Sequence, residues 1–349
     1  MRARLTALAL TALVLGAGSA TAVPVGTRFV PDGCGPGLTL IVGPTHQSCV
    51  HATADSVDAR AQARWLGVLP ATAPPVCYGD GQSGSRVQLI YGYVAGQKNR
   101  SATVVPVIRK AFAPRMQAMV KAASGGRDLG IRFAFASGCQ GLSVPTVAFP
   151  ASVISSADAT TQFDKMITRL QALGYDRSDR KYEVIWDRWN QGGICGLGEL
   201  IASQDTPQPA NLHGGFPNLP GGLSSLAPKY AAVWKTAYGP RGVDCWELGQ
   251  SKAEVQVHEL FHTLGAVQVS APHSDGGGHC TDTPSVMCPA RATPTEPRCA
   301  VVPVEVLDCG MDDFWNPAPA TGSYLATHEN IADSSFFGPQ PQDRLPALP

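Results

Sequence analysis

From residue 86 onward the apolar positions fall into two alternating rhythms. The segment RVQLIYGYV, 86 to 94, has the β-branched and aromatic content of a strand. In the next, VVPVIRKAFAPRMQAMVKAAS, Val105, Ile108, Phe112, Met116, Met119 and Val120 recur at helical spacing and mark one face. A second strand is expected at IRFAFA. A second amphipathic helix is expected over 158 to 173, with Phe163, Met166, Ile167, Leu170 and Leu173 as its stripe and Gly174 as its stop. KYEVIWD gives a third strand, ahead of GICGLGELI. Strand, helix, strand, helix, strand predicts a sheet with crossover helices, an α/β or α+β core. Methionines on these stripes read as packing. Residues 203 to 245 are Gly/Pro-rich and weakly periodic, so an irregular loop is expected there, with His213 an exposed member of it.

The ends behave differently. Residues 1 to 22 place Arg2 and Arg4 before a short apolar run and finish in Ala20, Thr21 and Ala22, the pattern of a secretory signal. That run is too short for a bilayer span, and no later segment approaches the roughly 20 apolar residues that spanning needs. Residues 23 to 75 read as an N-terminal extension or small subdomain with a proline-rich linker, or as a strand and loop layer on the main domain. The main domain then covers 76 to 349. Ten cysteines, all after residue 22, fit disulfides in an oxidising compartment, with a Cys34–Cys49 closure and a cluster among the last four. No CxxC pair occurs, which argues against a cysteine-ligated zinc ribbon. A formal net charge of zero gives no case for nucleic acid or an anionic membrane.

The chemistry concentrates in SKAEVQVHELFHTLG, 251 to 265. Ser251 and Glu254 form a capping-box pair and Gly265 is a left-handed terminator, so a helix is expected between them. Val257, Leu260, Phe261 and Leu264 form its apolar stripe. At about 100° per residue, His258 and His262 fall roughly 40° from each other and about 120° from the stripe's centre. Two imidazoles one turn apart suit Zn²⁺, and a carboxylate between them, Glu259, suits a general base acting on water.

The continuation HELFHTLG, with Gly265 three residues after the second histidine and a later methionine in SVMC, resembles the metzincin clan of zinc metalloproteases. The resemblance runs from Cys77 to Phe337 and includes a tail similar to that of secreted bacterial proteins with this segment. It implies a metzincin-like catalytic domain, a zinc ion on His258, His262 and a third ligand, a protein or peptide substrate, and Met287 as the floor of the site. The chain departs from the pattern twice. Gln268 stands where the third ligand belongs, so His279 is favoured for that role ahead of His273, Gln268 and Asp282, on ligand chemistry and loop reach. Cys288 and Pro289 follow Met287 where some relatives carry an oxyanion-stabilising tyrosine. Asp308, Asp312 and Asp313 match no calcium-loop spacing and read as a solvated turn. Two other functions stay open on these residues: a metalloprotease-fold binding protein without turnover, and a zinc amidase acting on cell-wall peptides. Oligomeric state is not legible.

Overall fold

In the computed structural model, which describes residues 38–42, 47–51, 73–155, 158–190, 193–200, 229–237, 244–246, 254–282, 285–288 and 307–339, a five-stranded sheet forms the frame. The signal segment 1 to 22, most of 23 to 75, His213 and Ser251 lie outside the described residues.

A hairpin of β1 (Leu38–Val42) and β2 (Gln47–His51) comes first. β3 (Arg86–Val94) leads into α1 (Ser101–Val107), a π-helical turn (Ile108–Phe112) and α2 (Ala113–Ala122). Pro106 gives α1 no N–H for its ladder, and the helix widens just after it. There follow β4 (Gly130–Ile131), β5 (Thr146–Phe149), α3 (Ala159–Ala172) and β6 (Arg180–Asn190). Asp158 caps α3 by accepting the Thr161 N–H at 2.7 Å. Then come β7 (Gly196–Gly198), β8 (Tyr230–Ala237), α4 (Glu254–His262) and β9 (Phe337–Gly338).

The sheet order is β5-β3-β6-β8-β7. β5, β3, β6 and β8 are parallel, and β7 closes one edge antiparallel to β8. Parallel strands bury both faces, and two cores result. On one face Leu89, Tyr91, Ile185 and Val233 pack with Phe112 and Met116 and with Val257, Leu260 and Phe261 of α4. On the other, Ile90, Val184, Trp186 and Trp234 pack with Phe163, Met166 and Leu170 of α3. Ile41 and Val50 of the hairpin join this second core, and the Leu200 N–H donates to the Cys49 carbonyl at 3.0 Å. The protein is thus a mixed α/β structure with helices on both sheet faces.

Three expectations need correction. IRFAFA is not a regular strand: β4 pairs only with β9, and Phe133 and Phe135 make single bridges. The sheet edge beside β3 is instead β5, too short and too near Pro145 and Pro150 to stand out. Within the stretch read as irregular, 203 to 245, Tyr230–Ala237 is an inner strand of the sheet. Finally, α4 is not amphipathic in its surroundings, because all nine of its residues are buried.

Two features seat α4 on the sheet. Gly196 and Gly198 of β7 face it: a Cβ on Gly196 would lie 2.2 Å from Glu259 Oε1, and one on Gly198 would lie 2.5 Å from the Glu259 carbonyl and 2.8 Å from His262 Cβ. Lys181 of β6 donates from Nζ to the Thr263 carbonyl at 2.6 Å, satisfying an end group just beyond the helix. Three disulfides, Cys77–Cys139, Cys195–Cys245 and Cys280–Cys288, join described segments, and Cys49 and Cys309 are also disulfide-bonded. No helix among the described residues is long and apolar enough to cross a membrane.

Gly198→Ala is expected to destabilise the fold by about 1–3 kcal/mol through overpacking, whereas Gly126→Ala, whose Cβ meets nothing, should stay within about 0.5 kcal/mol. Chemical denaturation of both variants checks this. Burial, opposed by the pull of Glu199 and Glu329, lowers the Lys181 pKa from 10.5 to about 7. The unfolded chain therefore binds the extra proton between those values, and this residue's contribution to stability rises with pH from about 7 to 10.5. Lys181→Met should flatten that rise in pH-dependent unfolding.

Candidate metal centre

α4 ends in a hydrogen-bond pattern that aims the following loop. The Ala266 N–H donates to the Phe261 carbonyl at 3.1 Å and the Gly265 N–H to the His262 carbonyl at 3.0 Å, a Schellman pair. Gly265 sits at φ +98°, in the left-handed region a side chain would disfavour. The loop then returns, with the Val267 N–H donating to the Gly278 carbonyl at 3.0 Å, and so delivers His279 to α4.

There His258, His262 and His279 gather, each offering a ring nitrogen within 4.8 Å of the others. His258 Nδ1 lies 2.8 Å from the Val286 carbonyl and His262 Nδ1 3.1 Å from the Ala266 carbonyl. A carbonyl only accepts, so both Nδ1 atoms carry the proton, and both Nε2 atoms of the neutral rings are bare acceptors. Those acceptors face each other: His262 Nε2 lies 3.0 Å and His279 Nε2 3.2 Å from His258 Nε2. Ligand bonds of about 2.0–2.1 Å in tetrahedral array place donor atoms about 3.3 Å apart. The donor set fits a cation on three imidazole nitrogens, and a metal-binding group of three histidines is what the described residues present.

The loop carrying His279 is held from several sides. Asp275 accepts the His279 N–H at 3.1 Å and the Gly277 N–H at 2.7 Å on Oδ1, and its Oδ2 lies 3.6 Å from His279 Nδ1. Burial pushes the Asp275 pKa upward, but the bonds and charge of His279 outweigh it and the net shift is down. An ionised carboxylate behind a ligating imidazole orients the ring. The Cys280–Cys288 disulfide closes the next turn, and the Cys280 N–H donates to the Met287 carbonyl at 3.1 Å. Met287 is fully buried, one residue after the carbonyl that holds His258.

Glu259, which lies between the two helical histidines in sequence, is fully buried, its carboxylate against Gly196. Gln268 turns elsewhere and donates to the Gly265 carbonyl at 2.6 Å. His273 and Asp282 meet in a separate group with Asp312 and Asp313. Asp308 and Asp313 are buried, not solvated, because the segment 307 to 315 folds under this loop. Burial, reinforced by Asp313, pushes the Asp282 carboxyl up to about 7; burial and Asp308 do the same to Asp313. Cys280 and Cys288 also flank Asp282, but their sulfurs are spent in the disulfide. A polar recess of about 420 Å³ at the carboxyl ends of β3 and β6, lined by Arg100, Asp187, Trp189 and Lys235 among others, shares no residue with the three histidines. Sequence reasoning missed Asp275, Gly196 and Gly198; the Asp275-to-His279 spacing and the two glycines of GICGLGELI were the available signals.

No protein-family model and no curated protein matches the chain significantly. Among solved structures it is similar to metalloproteinase-II from Bacteroides fragilis, at 11% identity and a TM-score of 0.29, over 72% of this chain and 69% of that one. A superposition of that depth decides neither fold nor chemistry, and the centre rests on its own side chains.

His279→Ala should remove one bound metal ion per chain, while Gln268→Ala should leave the content unchanged. Elemental analysis of the purified variants measures this, and equal content in the two would remove His279 from the centre.

Proposed function

We propose that the chain is an exported, zinc-dependent endopeptidase with a metzincin-like catalytic domain. His258, His262 and His279 hold the ion, Glu259 is the general base, and the substrate is a protein or peptide. The observation that carries this reading is the convergence of three Nε2 atoms in a group to which, among the described residues, no fourth His, Cys, Asp or Glu belongs. Three protein ligands with one position open is the catalytic arrangement of zinc, whereas structural sites close with four.

Zinc on such a set polarises a carbonyl and brings the pKa of a coordinated water towards about 7. The chain's residues do the remainder. The Val286 and Ala266 carbonyls keep the Nδ1 protons of His258 and His262, so that Nε2 stays available. Glu259, on the helix turn between the two ligands, accepts the proton of the attacking water on its carboxylate and passes it to the leaving amine. Cys288 follows Met287 and is disulfide-bonded, so it supplies no oxyanion donor. An ion held by His258, His262 and His279 would carry that charge. The signal segment, the even cysteine count and the disulfides support export.

A second reading, a zinc-holding protein without turnover, is favoured by the enclosure of the centre: His258, His262 and His279 are 2%, 0% and 5% exposed. A zinc amidase for cell-wall peptides shares the same machinery and differs only in substrate. Glu259→Gln separates catalysis from metal holding. It should keep the bound zinc and lower casein hydrolysis by about 100-fold or more. Casein untouched by the unsubstituted, zinc-loaded protein would overturn the endopeptidase, and peptidoglycan cleavage by that sample would assign the amidase.

A further inference from the structure

A second set of ligand atoms lies on the other side of the loop that carries His279. The Thr281 N–H donates to the His273 carbonyl at 2.8 Å and Ser274 bridges Cys280, so His273 and His279 stand on the two arms of one tight return. His273 Nδ1 lies 3.0 Å from Asp313 Oδ1, 3.6 Å from Asp312 Oδ1 and 3.8 Å from Asp282 Oδ2. These spacings bracket the roughly 3.3 Å edge of a tetrahedron with ligand bonds of about 2.0–2.1 Å. Asp282 and Asp313 are 1% and 0% exposed. Oδ2 of Asp282 is buried and accepts no hydrogen bond among the described residues, although it points into the group. Nor does any lysine or arginine there pair with Asp282, Asp308 or Asp313 among the described residues. Carboxyls crowded at low dielectric raise one another's affinity for a proton, and a divalent cation would take that proton's place.

We propose that His273, Asp282, Asp312 and Asp313 form a second divalent-cation site, independent of the three-histidine centre. An imidazole among carboxylates selects an ion that accepts both, Zn²⁺ or Mn²⁺, over Ca²⁺, which takes oxygen ligands. On binding, His273 ligates through Nδ1 and carries its proton on Nε2. Because the ligands come from the His279 loop and from the segment after Leu307, the ion ties those two segments together. Its role is to fix the loop; it takes no part in bond cleavage.

The test uses the full chain bearing His258→Ala and His262→Ala, stripped with chelator and titrated with ZnCl₂, MnCl₂ or CaCl₂. One Zn²⁺ or Mn²⁺ per chain is expected, raising the unfolding midpoint by about 4 °C at a hundredfold excess over the dissociation constant. Adding Asp282→Asn and Asp313→Asn should abolish both effects. If the double-histidine variant does not fold, the unsubstituted chain should hold two ions, and its His273→Ala variant one. A folded double-histidine variant that binds no ion, an unsubstituted chain that holds one ion unchanged by His273→Ala, or binding of calcium alone would overturn the proposal. Two ions in the unsubstituted chain without peptidase activity would sink the proposed function and leave this site standing.

Discussion

The structure depends on how closely α4 approaches the sheet. With glycine at 196 and 198, β7 has no side chain at the two points where Glu259 and His262 press against it. The helix therefore lies directly on the strand backbone, buried on every side. A helix so enclosed has little freedom to roll, which fixes where its histidines point. Lys181 adds a tie at the carboxyl end, from the middle of the sheet to the Thr263 carbonyl. Its burial is tolerable because the amine is close to neutral at physiological pH and its proton faces an acceptor.

From that fixed end the Schellman pair at Phe261 and His262 and the left-handed Gly265 set the exit direction of the chain. The loop has no periodic structure of its own and is made rigid by other means. These are the Asp275 carboxylate inside its turn, the Cys280–Cys288 bridge, and backbone bonds from Val267 and Thr281 across it. Val286, beyond the turn, receives the His258 Nδ1 proton, so the loop both delivers one imidazole and sets the tautomer of another. Helix and loop are interdependent, and the centre is assembled only when both are in place.

Much of this was legible in the sequence, for a physical reason. Strand β3 and helices α2 and α3 carry strong local periodicity, and the spacing of His258 and His262 follows from helix geometry alone. What escaped lies where local pattern and tertiary setting disagree. YAAVWKTA is alanine-rich and alternates no polar face, because a parallel inner strand is covered on both sides. IRFAFA looks like a strand, but after Ile131 the chain leaves regular pairing and makes only single bridges. Asp313 looks like a surface residue because the groups it meets, His273 and Asp282, are about forty and thirty positions away. The choice among His279, His273, Gln268 and Asp282 turned on a glycine-rich loop whose path no periodicity encodes.

The tautomers of His258 and His262 suit a cation at the centre of the three histidines. With His258 and His262 both donating from Nδ1 to carbonyls, an attractive contact at 3.0 Å between their Nε2 atoms requires a proton there, and hence an imidazolium. Of the three rings, His279 has a carboxylate beside it, Asp275 Oδ2 at 3.6 Å from its Nδ1. One imidazolium would serve both contacts of His258 poorly, since His262 and His279 each approach the same Nε2. A divalent cation at their centre satisfies all three lone pairs at once, leaves both Nδ1 bonds intact and asks no ring to change its proton.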